Sequence, residues 1–511
     1  MEWDVVIAGG GPNGLMLAGE LALHGVRPLV LERRTGPMTE QRANGLVGQV
    51  VRMLDRRGLY ARLTGTDEPP RPAPNFMFAA FPLPLHQLPD NPVYTMLVPQ
   101  QRIEDVLGEW AAELGAEIRR GVEVTGFRHV DGPGVVVETS DGPVAARWLV
   151  GADGGHSPVR KLTGIDFPGV TTDDTVSRAA HVSVPPELVN PAGGLTVPGY
   201  GVIPAFLHHR TERGLISYAR FPNGKQLVSV NERGVAPDGP MTIEELREAA
   251  RRVLGVPLDI GPPAGDGPHL LRRGTGSNTR LADRYRAGQV LLLGDAAHVH
   301  SALGGPGLNL GLQDAVNLGW KLAAEVRGHA PEGLVDTYES ERRPVAERVV
   351  MHTQAQHVLT GPGPEITALR TLFGEMLTDR AALARVADLL AGSGFTYPGA
   401  GPWAPDLTLA DGTRLDELTR DGGPLLIDRG GFASRLAGRD GLADRLAGHD
   451  GAADRAAGRV RVVTDPGPGP SLMLRPDCYL AWTSDEPEEA LASAITRWFV
   501  PHREVAVQHR A

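Results

Sequence analysis

The sequence predicts an α/β protein in three parts: a layer of parallel strands and helices, an antiparallel sheet inserted into that layer, and a small third domain. Three observations predict this fold class. Strand-like and helical segments alternate through residues 1–169 and again through 276–390, as in parallel α/β layers. Consecutive strand-like runs with short turns fill residues 170–275, which is typical of an antiparallel sheet. A Gly/Pro-rich passage then introduces residues 391–511.

The first layer is predicted from segments on both sides of the insertion. Before it, the predicted strands are Trp3–Ala8, Pro28–Glu32, Val135–Thr139 and Ala146–Val150, with a helix at Ile103–Leu114. After it, Val290–Leu293 predicts a strand and Gln313–Arg327 a helix. Because both sides share one pattern, we expect a discontinuous nucleotide domain that the inserted sheet interrupts.

The inserted sheet and the tail are less regular. The strands predicted for the sheet are Arg178–Val184, Tyr200–His208, Gly214–Phe221 and Lys225–Glu232. A helical region is expected near Ala368–Leu390. In the third domain the decamer Arg435–Asp444 is followed by a near copy, Arg445–Asp454. Ten residues are too few for a solenoid unit, so we expect a duplicated surface insertion.

Composition narrows the classes of function. The formal net charge is -10 and there is no block of basic residues, which argues against nucleic acid or an anionic membrane and favours small-molecule partners. Cys478 is the only cysteine, so an intrachain disulfide and CxxC redox chemistry are excluded. The sequence shows no secretory signal and no apolar stretch near the roughly 18 residues of a membrane span. We therefore expect a cytoplasmic protein.

The strongest local motif follows the first predicted strand. It comprises Gly9, Gly11 and Gly14 in the pattern G-x-G-x-x-G, with Pro12 and Asn13 between them. Such glycines let the turn close tightly, admit a pyrophosphate against bare backbone, and let the next helix pack on the sheet. Glu32 ends the second strand 18 residues after Gly14, where an acidic side chain accepts hydrogen bonds from a ribose. The motif predicts a dinucleotide site and leaves FAD and NAD both open.

Two further passages place an aspartate after a predicted strand. Asp153 lies in Gly151–Arg160 (GADGGHSPVR), and Asp295 lies in Gly294–His298 (GDAAH), which runs on into a Gly-rich stretch ending at Asn309. Open α/β sheets bind ligands at the carboxyl ends of their strands. Taken singly, each passage is better interpreted as an ordinary Asp-Gly turn.

Together and in this order, the three passages resemble the FAD-dependent aromatic hydroxylases, single-component flavoprotein monooxygenases of the para-hydroxybenzoate hydroxylase type. The stretch 294–323, which contains GDAAH and GLQDAVNLGWKLA, is similar to the branch that hydroxylates aromatic polyketides and rifampicin. YESERRP at 338–344 and MHTQAQ at 351–356 extend the similarity. The motifs at 404–412 and 474–482 look like that branch's C-terminal thioredoxin-like domain, so the resemblance covers essentially the whole chain.

The resemblance implies a set of cofactor contacts. It implies that Glu32 binds the adenosine ribose of FAD and that Gln100 and Asp295 bind the ribityl chain. It implies that Arg160 either anchors the loop after Asp153 or contacts a cofactor phosphate. The resemblance also implies that Asp153 helps to couple the binding of FAD and the nicotinamide, and the alternative that Asp153 only caps the following turn stays open. The full implied set is Gly9, Gly11, Pro12, Asn13, Gly14, Glu32, Arg33, Arg42, Gln100, Val124, Asp153, Asp295, Pro306, Gly307, Leu308 and Asn309.

The inserted sheet is expected to roof a hydrophobic, polycyclic substrate. Phe206, Tyr218 and Arg220 are the candidate substrate contacts, although side chains alternate across a sheet and only one face can line a pocket. No side chain is assigned as a catalyst, because the flavin supplies the chemistry. No metal site is predicted, since the spacing of His298 and His300 does not suit a helical metal pair.

The implied function is that of an FAD-dependent, NAD(P)H-consuming monooxygenase that uses O2 to hydroxylate an aromatic polyketide-like phenol or quinone through a C4a-hydroperoxyflavin. Because no second G-x-G-x-x-G is present, NADPH or NADH is expected to visit only transiently. Baeyer-Villiger oxygenation and epoxidation stay open. A non-catalytic flavin-binding module also stays open, because Ala302 and Pro306 depart from the family's usual residues. The resemblance leaves formation of a homodimer open as well.

Overall fold

The computed structural model describes residues 2–36, 45–130, 132–221, 223–265, 267, 269–301, 305–436, 446–447 and 459–501. Arg42, Ala302 and most of the tandem decamer lie outside these ranges. The strands are β1 Trp3–Ala8, β2 Pro28–Glu32, β3 Leu46–Val47, β4 Phe76–Phe78, β5 Phe81–Leu83, β6 Thr95–Met96, β7 Glu117–Arg120, β8 Val124–His129, β9 Val135–Thr139, β10 Val144–Gly151, β11 Gly169–Val182, β12 Leu195–Val197, β13 Gly201–Ile203, β14 His208–Thr211, β15 Gly214–Arg220, β16 Gln226–Arg233, β17 Leu271–Leu281, β18 Arg286–Ala287, β19 Val290–Leu292, β20 His298–Val299, β21 Leu425–Asp428, β22 Leu446–Ala447, β23 Val460–Thr464, β24 Leu472–Leu474 and β25 Leu480–Thr483. The helices are α1 Pro12–Leu23, α2 Gln49–Asp55, α3 Tyr60–Thr64, α4 Gln100–Glu113, α5 Pro158–Thr163, α6 Ile243–Leu254, α7 Pro306–Val326, α8 Thr337–Thr360, α9 Pro364–Met376, α10 Arg380–Ala391, α11 Leu415–Thr419, α12 Phe432–Leu436 and α13 Glu488–Phe499.

The first sheet is the predicted parallel layer. Six of its eight described strands lie in the order β18-β19-β10-β1-β2-β7, of which β7, β2, β1, β10 and β19 run parallel, and β9 joins β10 to β8 by antiparallel pairing. Val5, Val6 and Ile7 of β1 are fully buried, which is why this strand is an unbroken apolar run and not an alternating one. Helix α1 packs between α4 and α7 against the sheet and is apolar nearly all round for the same reason.

The second sheet is antiparallel, with its described strands in the order β14-β15-β16-β11-β17-β20. One of its faces packs against α6 through a separate apolar core that includes Ile216, Val228 and Val230. Its last two strands include residues from the second half of the first layer. Strand β17 extends past residue 275, the predicted end of the inserted sheet, and β20 lies just after Asp295. The domain boundaries given above stay a prediction.

Three of the predicted elements are corrected. The run Tyr200–His208 is not one strand, because the chain turns between β13 and β14 at Pro204 and Phe206, whose φ is 58°. Helix α7 begins seven residues earlier than Gln313, since Pro306 is a favoured first helical residue although the stretch is Gly-rich. The region Ala368–Leu390 divides into α9 and α10, and Asp379 caps α10 through the Ala382 amide at 2.9 Å.

The C-terminal residues form a third sheet, ordered β22-β23-β21-β24-β25 in the described part of the chain. Arginines at and just after α2 hold this unit against the first layer. Arg56 Nη2 donates to the carbonyls of Ala404 and Pro405, and its guanidinium stacks on Trp403. Arg57 pairs with buried Glu20 and also donates to two carbonyls of the C-terminal unit. The interface is therefore rich in buried, charge-assisted hydrogen bonds.

Among the described helices, none combines the length and apolarity that crossing a membrane requires.

Candidate active site

A large cavity lies where the carboxyl ends of the parallel strands meet. β1 leads into Gly9, β2 ends at Glu32, β10 leads toward Asp153 and β19 toward Asp295, and all four residues line the cavity. Open α/β sheets bind ligands at this edge. The cavity volume is about 1580 Å³, above the roughly 300–1,000 Å³ of an ordinary small-molecule pocket. The space therefore suits an extended ligand.

The glycine motif builds one wall of this cavity. A Cβ on Gly9 would lie 2.3 Å from the Ala152 carbonyl oxygen, and one on Gly14 would lie 2.1 Å from the Gly9 carbonyl oxygen, so neither position admits a side chain. Gly11 lines the cavity, and no heavy atom lies within 4 Å of its Cβ position. Two glycines thus close the turn, and the third leaves room for a ligand against the backbone.

Glu32 presents an ionised carboxylate to the cavity. Its Oε2 accepts from the Gly10 amide at 2.8 Å, and its Oε1 accepts from the Arg34 amide and Nε at 2.9 Å each. Burial raises the pKa of Glu32, but these hydrogen bonds and the Arg34 charge outweigh it and lower the pKa overall. A carboxylate has lone pairs for more donors than these, so Glu32 remains able to accept hydroxyl groups.

The start of α4 places Gln100 at the cavity. Gln100 Nε2 donates to Glu104 Oε1 at 2.9 Å, and this fixes the orientation of the amide. Glu104 is 2% exposed, and burial raises the pKa of its carboxyl. The sequence pattern marks Gln100 alone, whereas the structure adds Glu104 as the group that orients it.

Arg160 joins the two aspartate passages. Its Nη1 donates to the Ala296 carbonyl at 2.8 Å and its Nη2 to the Gly155 carbonyl at 3.0 Å, while its guanidinium lies 3.8 Å from the Phe167 ring centroid. The loop-anchoring role expected of Arg160 agrees with this geometry. Asp153 Oδ2 accepts from the Val159 amide at 3.0 Å, and burial raises the pKa of its carboxyl. Asp153 therefore stabilises the turn before α5 while it lines the cavity.

The first turn of α7 closes the other end. Gly307 and Leu308 line the cavity, where the free amides of a helix start favour negative or electron-rich groups. Asn309 Nδ2 donates to the Gly305 carbonyl at 2.9 Å, and its Oδ1 accepts from the Val47 amide at 3.1 Å. Asn309 thus holds β3 against the helix start.

Most of the predicted cofactor residues come together in this one space. Those that line it are Gly9, Gly11, Pro12, Asn13, Glu32, Arg33, Gln100, Val124, Asp153, Asp295, Gly307 and Leu308. Gly14, Pro306 and Asn309 pack beside it, and Arg42 lies outside the described residues. Individual contacts of these residues with a cofactor stay a prediction.

The structure adds cationic and polar groups that sequence reasoning missed, namely Arg34, His156, Asn278 and Arg280. Asn278 and Arg280 belong to β17, and Arg280 Nη1 donates to the Phe167 carbonyl at 3.0 Å. No local pattern marks these two residues, because their strand lies across the boundary between the inserted sheet and the first layer. Its pairing with β20 is the signal that brings it to the cavity.

The residues present fit a bound dinucleotide. Open backbone at Gly11 and the amides of α7 suit phosphate and ring oxygens, and Glu32 suits a ribose. Two polar atoms of the cavity residues, Asn13 Oδ1 and Asp153 Oδ1, are buried without a hydrogen-bond partner among the described groups. Such atoms call for a ligand or water, because unpaired buried polar groups are rare. Within the described ranges, no three His, Cys, Asp or Glu side chains are placed to hold a metal ion.

The predicted substrate contacts lie elsewhere. Tyr218 is 1% exposed and belongs to the core between the second sheet and α6. Arg220 shares the strand parity of Tyr218, and Phe206 sits at the exposed turn before β14. None of the three lines the cavity. The geometry does not support Tyr218 as a substrate contact, because alternation along β15 turns it away from the open face.

The opposite face of that sheet is small and polar; we call it the inner face. His208 pairs with Ser217, Ser217 with Ser229, and Ser229 with Ala179, so these four side chains form one row across four strands. The Ser217 and Ser229 hydroxyls lie 2.6 Å apart. Among the described residues, no polar group is hydrogen-bonded to the His208 imidazole, and burial lowers its pKa.

The hairpin of β4 and β5 and helix α8 lie beside the inner face. The His208 amide donates to Met77 Sδ at 3.3 Å, and the Ala79 amide at the hairpin tip donates to Gln356 Oε1 of α8 at 3.1 Å. On α8, His352 helps to lower the pKa of His300, a cavity residue whose pKa falls to about 4 chiefly through burial. The hairpin and α8 therefore border the inner face, and the loop that carries Asp295 and His300 contributes β20 to the same sheet.

The fold and the site together define a flavoprotein-like oxidoreductase: a dinucleotide cavity at the edge of a parallel sheet, with a second, polar sheet face beside it. The family model described as FAD binding domain matches residues 2–353, and the model described as Aromatic-ring hydroxylase, C-terminal matches residues 397–501. The chain belongs to this family of FAD-dependent aromatic-ring hydroxylases, which are flavoprotein monooxygenases, and it binds FAD. The predicted α/β fold class with its inserted sheet and C-terminal domain is confirmed.

Individual relatives match along nearly the whole chain. The 12-dehydrotetracycline 5-monooxygenase/anhydrotetracycline 6-monooxygenase of Streptomyces rimosus subsp. rimosus is 38% identical, covering 98% of this chain and 99% of its own. The rifampicin monooxygenase of Streptomyces venezuelae is 37% identical, covering 97% and 98%. Among solved structures, the Diels-Alderase PyrE3 of pyrroindomycin biosynthesis superposes with a TM-score of 0.79 at 33% identity, covering 98% and 99%.

Proposed function

We propose that this protein hydroxylates an aromatic polyketide-like phenol or quinone, consuming NAD(P)H and O2. The observation that carries the proposal is the polar inner face beside the loop of Asp295 and His300, in a chain that binds FAD. FAD held by the cavity residues would supply the redox chemistry that couples NAD(P)H oxidation to insertion of one atom of O2 into the ring, with the other atom released as water. The protein binds, orients and shields the reactants.

The inner face suits a hydroxylated polycyclic ligand. Its row of His208, Ser217, Ser229 and Ala179 combines short side chains, which leave space, with hydrogen-bonding groups. Arg210, also on this face, is fully engaged with the carbonyls of Gly361 and Gly363 and the Thr367 hydroxyl. The row from His208 to Ala179 therefore offers uncharged hydrogen-bonding partners, which suit phenol and quinone oxygens, and the next residue of the row, on β17, is the cation Arg272. Relatives named for anhydrotetracycline and rifampicin support this class.

His208 is suited to hold the substrate hydroxyl. Because burial lowers its pKa, the imidazole is neutral at pH 7 and offers an unprotonated nitrogen as acceptor. Accepting the hydroxyl hydrogen increases electron density on the ring, which favours oxygen transfer to it. The cationic groups Arg33, Arg34 and Arg280 supply a surface at which NADPH or NADH docks transiently.

The test is a coupled assay on the purified holoprotein. The flavin spectrum is recorded, and NADPH and NADH oxidation is then followed with anhydrotetracycline and with 1,2-dihydroxyanthraquinone as probes. The expected result is substrate-stimulated oxidation and a product heavier by one atom of ¹⁸O from ¹⁸O₂. Product NMR separates ring hydroxylation from Baeyer-Villiger insertion and epoxidation. The proposal would be wrong if neither probe increased the rate of NADPH or NADH oxidation and no ¹⁸O-labelled product formed.

A second candidate follows from the similarity to the Diels-Alderase PyrE3. In that case, the chain would join a diene and a dienophile in a cycloaddition, which forms carbon-carbon bonds without net oxidation. Conversion of a linear diene-dienophile probe in the absence of NAD(P)H and under anaerobic conditions would support it over hydroxylation. Dependence of all conversion on NAD(P)H would exclude it.

A further inference from the structure

Two buried polar networks cross the interface between the first layer and the C-terminal unit. Adjacent residues of α8, Glu341 and Arg342, belong to different networks. We call the one through Arg342 the flavin-side network and the one through Glu341 the distal network. They share an interface and a degree of burial, but only the flavin-side network bonds to segments that line the cavity.

The flavin-side network consists of four side chains, each no more than 5% exposed: Tyr397, Arg342, Asp314 and His298. Arg342 Nη1 donates to the Tyr397 hydroxyl at 2.8 Å, and Arg342 Nε donates to Asp314 Oδ1 at 2.7 Å. His298 Nε2 lies 2.7 Å from Asp314 Oδ2. Burial raises the pKa of Asp314, but Arg342 and His298 outweigh it and lower the pKa, so the carboxylate is ionised and accepts from both. Each link is thus a charge-assisted hydrogen bond.

Both inner ends of this network touch segments that line the cavity. His298 lies between Asp295 and His300, which are both lining residues. Arg342 Nη2 also donates to the Leu310 carbonyl at 3.2 Å, in the helix whose first turn carries Gly307 and Leu308. The outer end, Tyr397, opens the segment that matches the C-terminal hydroxylase model, and its ring packs 4.1 Å from that of Tyr479.

We propose that Tyr397, Arg342 and Asp314 are positioning residues through which the C-terminal unit fixes His298, and with it the loop and helix start that hold FAD. A buried guanidinium has a planar, directional set of N–H donors. The three hydrogen bonds of Arg342 therefore fix the relative positions of α7, α8 and the segment that carries Tyr397. Loss of the Tyr397 hydroxyl leaves Nη1 of Arg342 buried without an acceptor. Because that costs free energy, the Arg342 guanidinium rotates toward another acceptor. Asp314 and His298 then shift with it.

The distal network provides the control. It joins Lys321, Glu341, Arg475, Asp477 and Asn317, all at most 4% exposed. Lys321 and Asn317 lie further along α7 than Asp314, and the side-chain bonds of the five described here run only among themselves, not to the loop of His298 or the first turn of α7. A variant here weakens the same interface without touching the loop of His298.

The experiment compares Tyr397→Phe with Lys321→Met in the full chain. The readouts are the FAD dissociation constant by flavin fluorescence, the flavin midpoint potential, and amide hydrogen exchange of segments 294–301 and 305–312 in the FAD-free protein. Tyr397→Phe is expected to weaken FAD binding about 5- to 10-fold and to speed exchange in both segments. Lys321→Met is expected to lower the midpoint of urea unfolding while leaving FAD affinity within about twofold and the two segments unchanged.

A double variant makes the test sharper. If the effect passes through one network, Tyr397→Phe combined with Asp314→Asn binds FAD no more weakly than Asp314→Asn alone. The proposal would be overturned if the fold-changes in FAD affinity of the two single variants multiplied in the double variant. It would also be overturned if amide exchange of the two segments were unchanged in Tyr397→Phe, or if Lys321→Met changed FAD affinity and exchange as much as Tyr397→Phe does. Should Asp314→Asn fail to fold, the Tyr397 and Lys321 pair still decides. None of these readouts uses an aromatic substrate, so the result stands apart from the proposed hydroxylation.

Discussion

The cavity and the C-terminal interface are built from different materials. Backbone forms much of the cavity: closed turns at Gly9 and Gly14, open backbone at Gly11, and the first amides of α7. Charged side chains form the interface, in which Arg56, Arg57 and Arg475 are each at most 4% exposed. The contrast teaches that the cofactor site depends on where a side chain is missing, whereas attachment of the C-terminal unit depends on pairs of side chains that must both be present.

The largest effect is expected where backbone contacts backbone. Gly14→Val places a branched side chain where even a Cβ lies 2.1 Å from the Gly9 carbonyl oxygen, so α1 must move away from the turn. We expect the protein to be purified without FAD, with no flavin absorbance and no rise in melting temperature on adding FAD. Gly108→Ala, in α4, is the matched control, because its Cβ position is only 3.9 Å from Leu15 Cδ1, an ordinary contact. Normal FAD content in Gly14→Val would show that the turn tolerates side chains.

The interface should respond to loss of a charge partner instead. Arg475→Met leaves Glu341 and Asp477 buried without the guanidinium that binds both. We expect a loss of about 3–5 kcal/mol in the free energy of unfolding, measured in urea, since an uncompensated buried charge is costly. Arg62→Met is the control: Arg62 forms a similar two-bond pair with Glu113, but that pair is exposed and its loss should cost less than about 1 kcal/mol. Equal losses in the two variants would contradict the argument.

This difference also decides what the sequence could predict. A turn such as Gly9 to Gly14 is contiguous, and its geometry excludes most other residues, so the pattern alone locates it. Asp153, Asp295 and Glu32 follow predicted strands and are found in the same way. Arg280 and the pair Arg342 and Tyr397 could not be found, because their partners are fixed by how distant segments pack. For Tyr218, the strand was predicted correctly, but which face it presents depends on α6, which the alternation of a single strand does not reveal.

Between these regions, two buried histidines should make stability depend on pH. Burial lowers the pKa of His352 and of His300 to about 4, below the roughly 6.5 of the unfolded chain. As pH falls below about 6.5, these two imidazoles become protonated in the unfolded chain but stay neutral in the folded protein. Their contribution to the free energy of unfolding therefore declines until about pH 4 and then levels off. At pH 5 the expected loss relative to pH 7 is about 1–2 kcal/mol per histidine, measured by urea unfolding of the FAD-free protein.

His352→Gln should remove part of that decline. His86→Gln, whose side chain is exposed, should retain all of it and serves as the control. An equal loss of stability between pH 7 and pH 5 in the wild type and in His352→Gln would show that burial does not hold the His352 imidazole neutral.

The smallest effect tests, within one sheet, whether a side chain contributes by facing a ligand or by packing. His208 and His209 are neighbours on β14, but His208 lies on the inner face, while His209 turns to the other face and lies 2.6 Å from the Tyr200 hydroxyl. Loss of one hydrogen bond to a bound phenol is worth about 1 kcal/mol, so His208→Gln should lower kcat/KM for 1,2-dihydroxyanthraquinone about fivefold and alter its pH profile. His209→Gln should leave kcat/KM within about twofold and lower stability instead. A loss of kcat/KM confined to His209→Gln would reverse the assignment of the two faces and move the substrate to the α6 side.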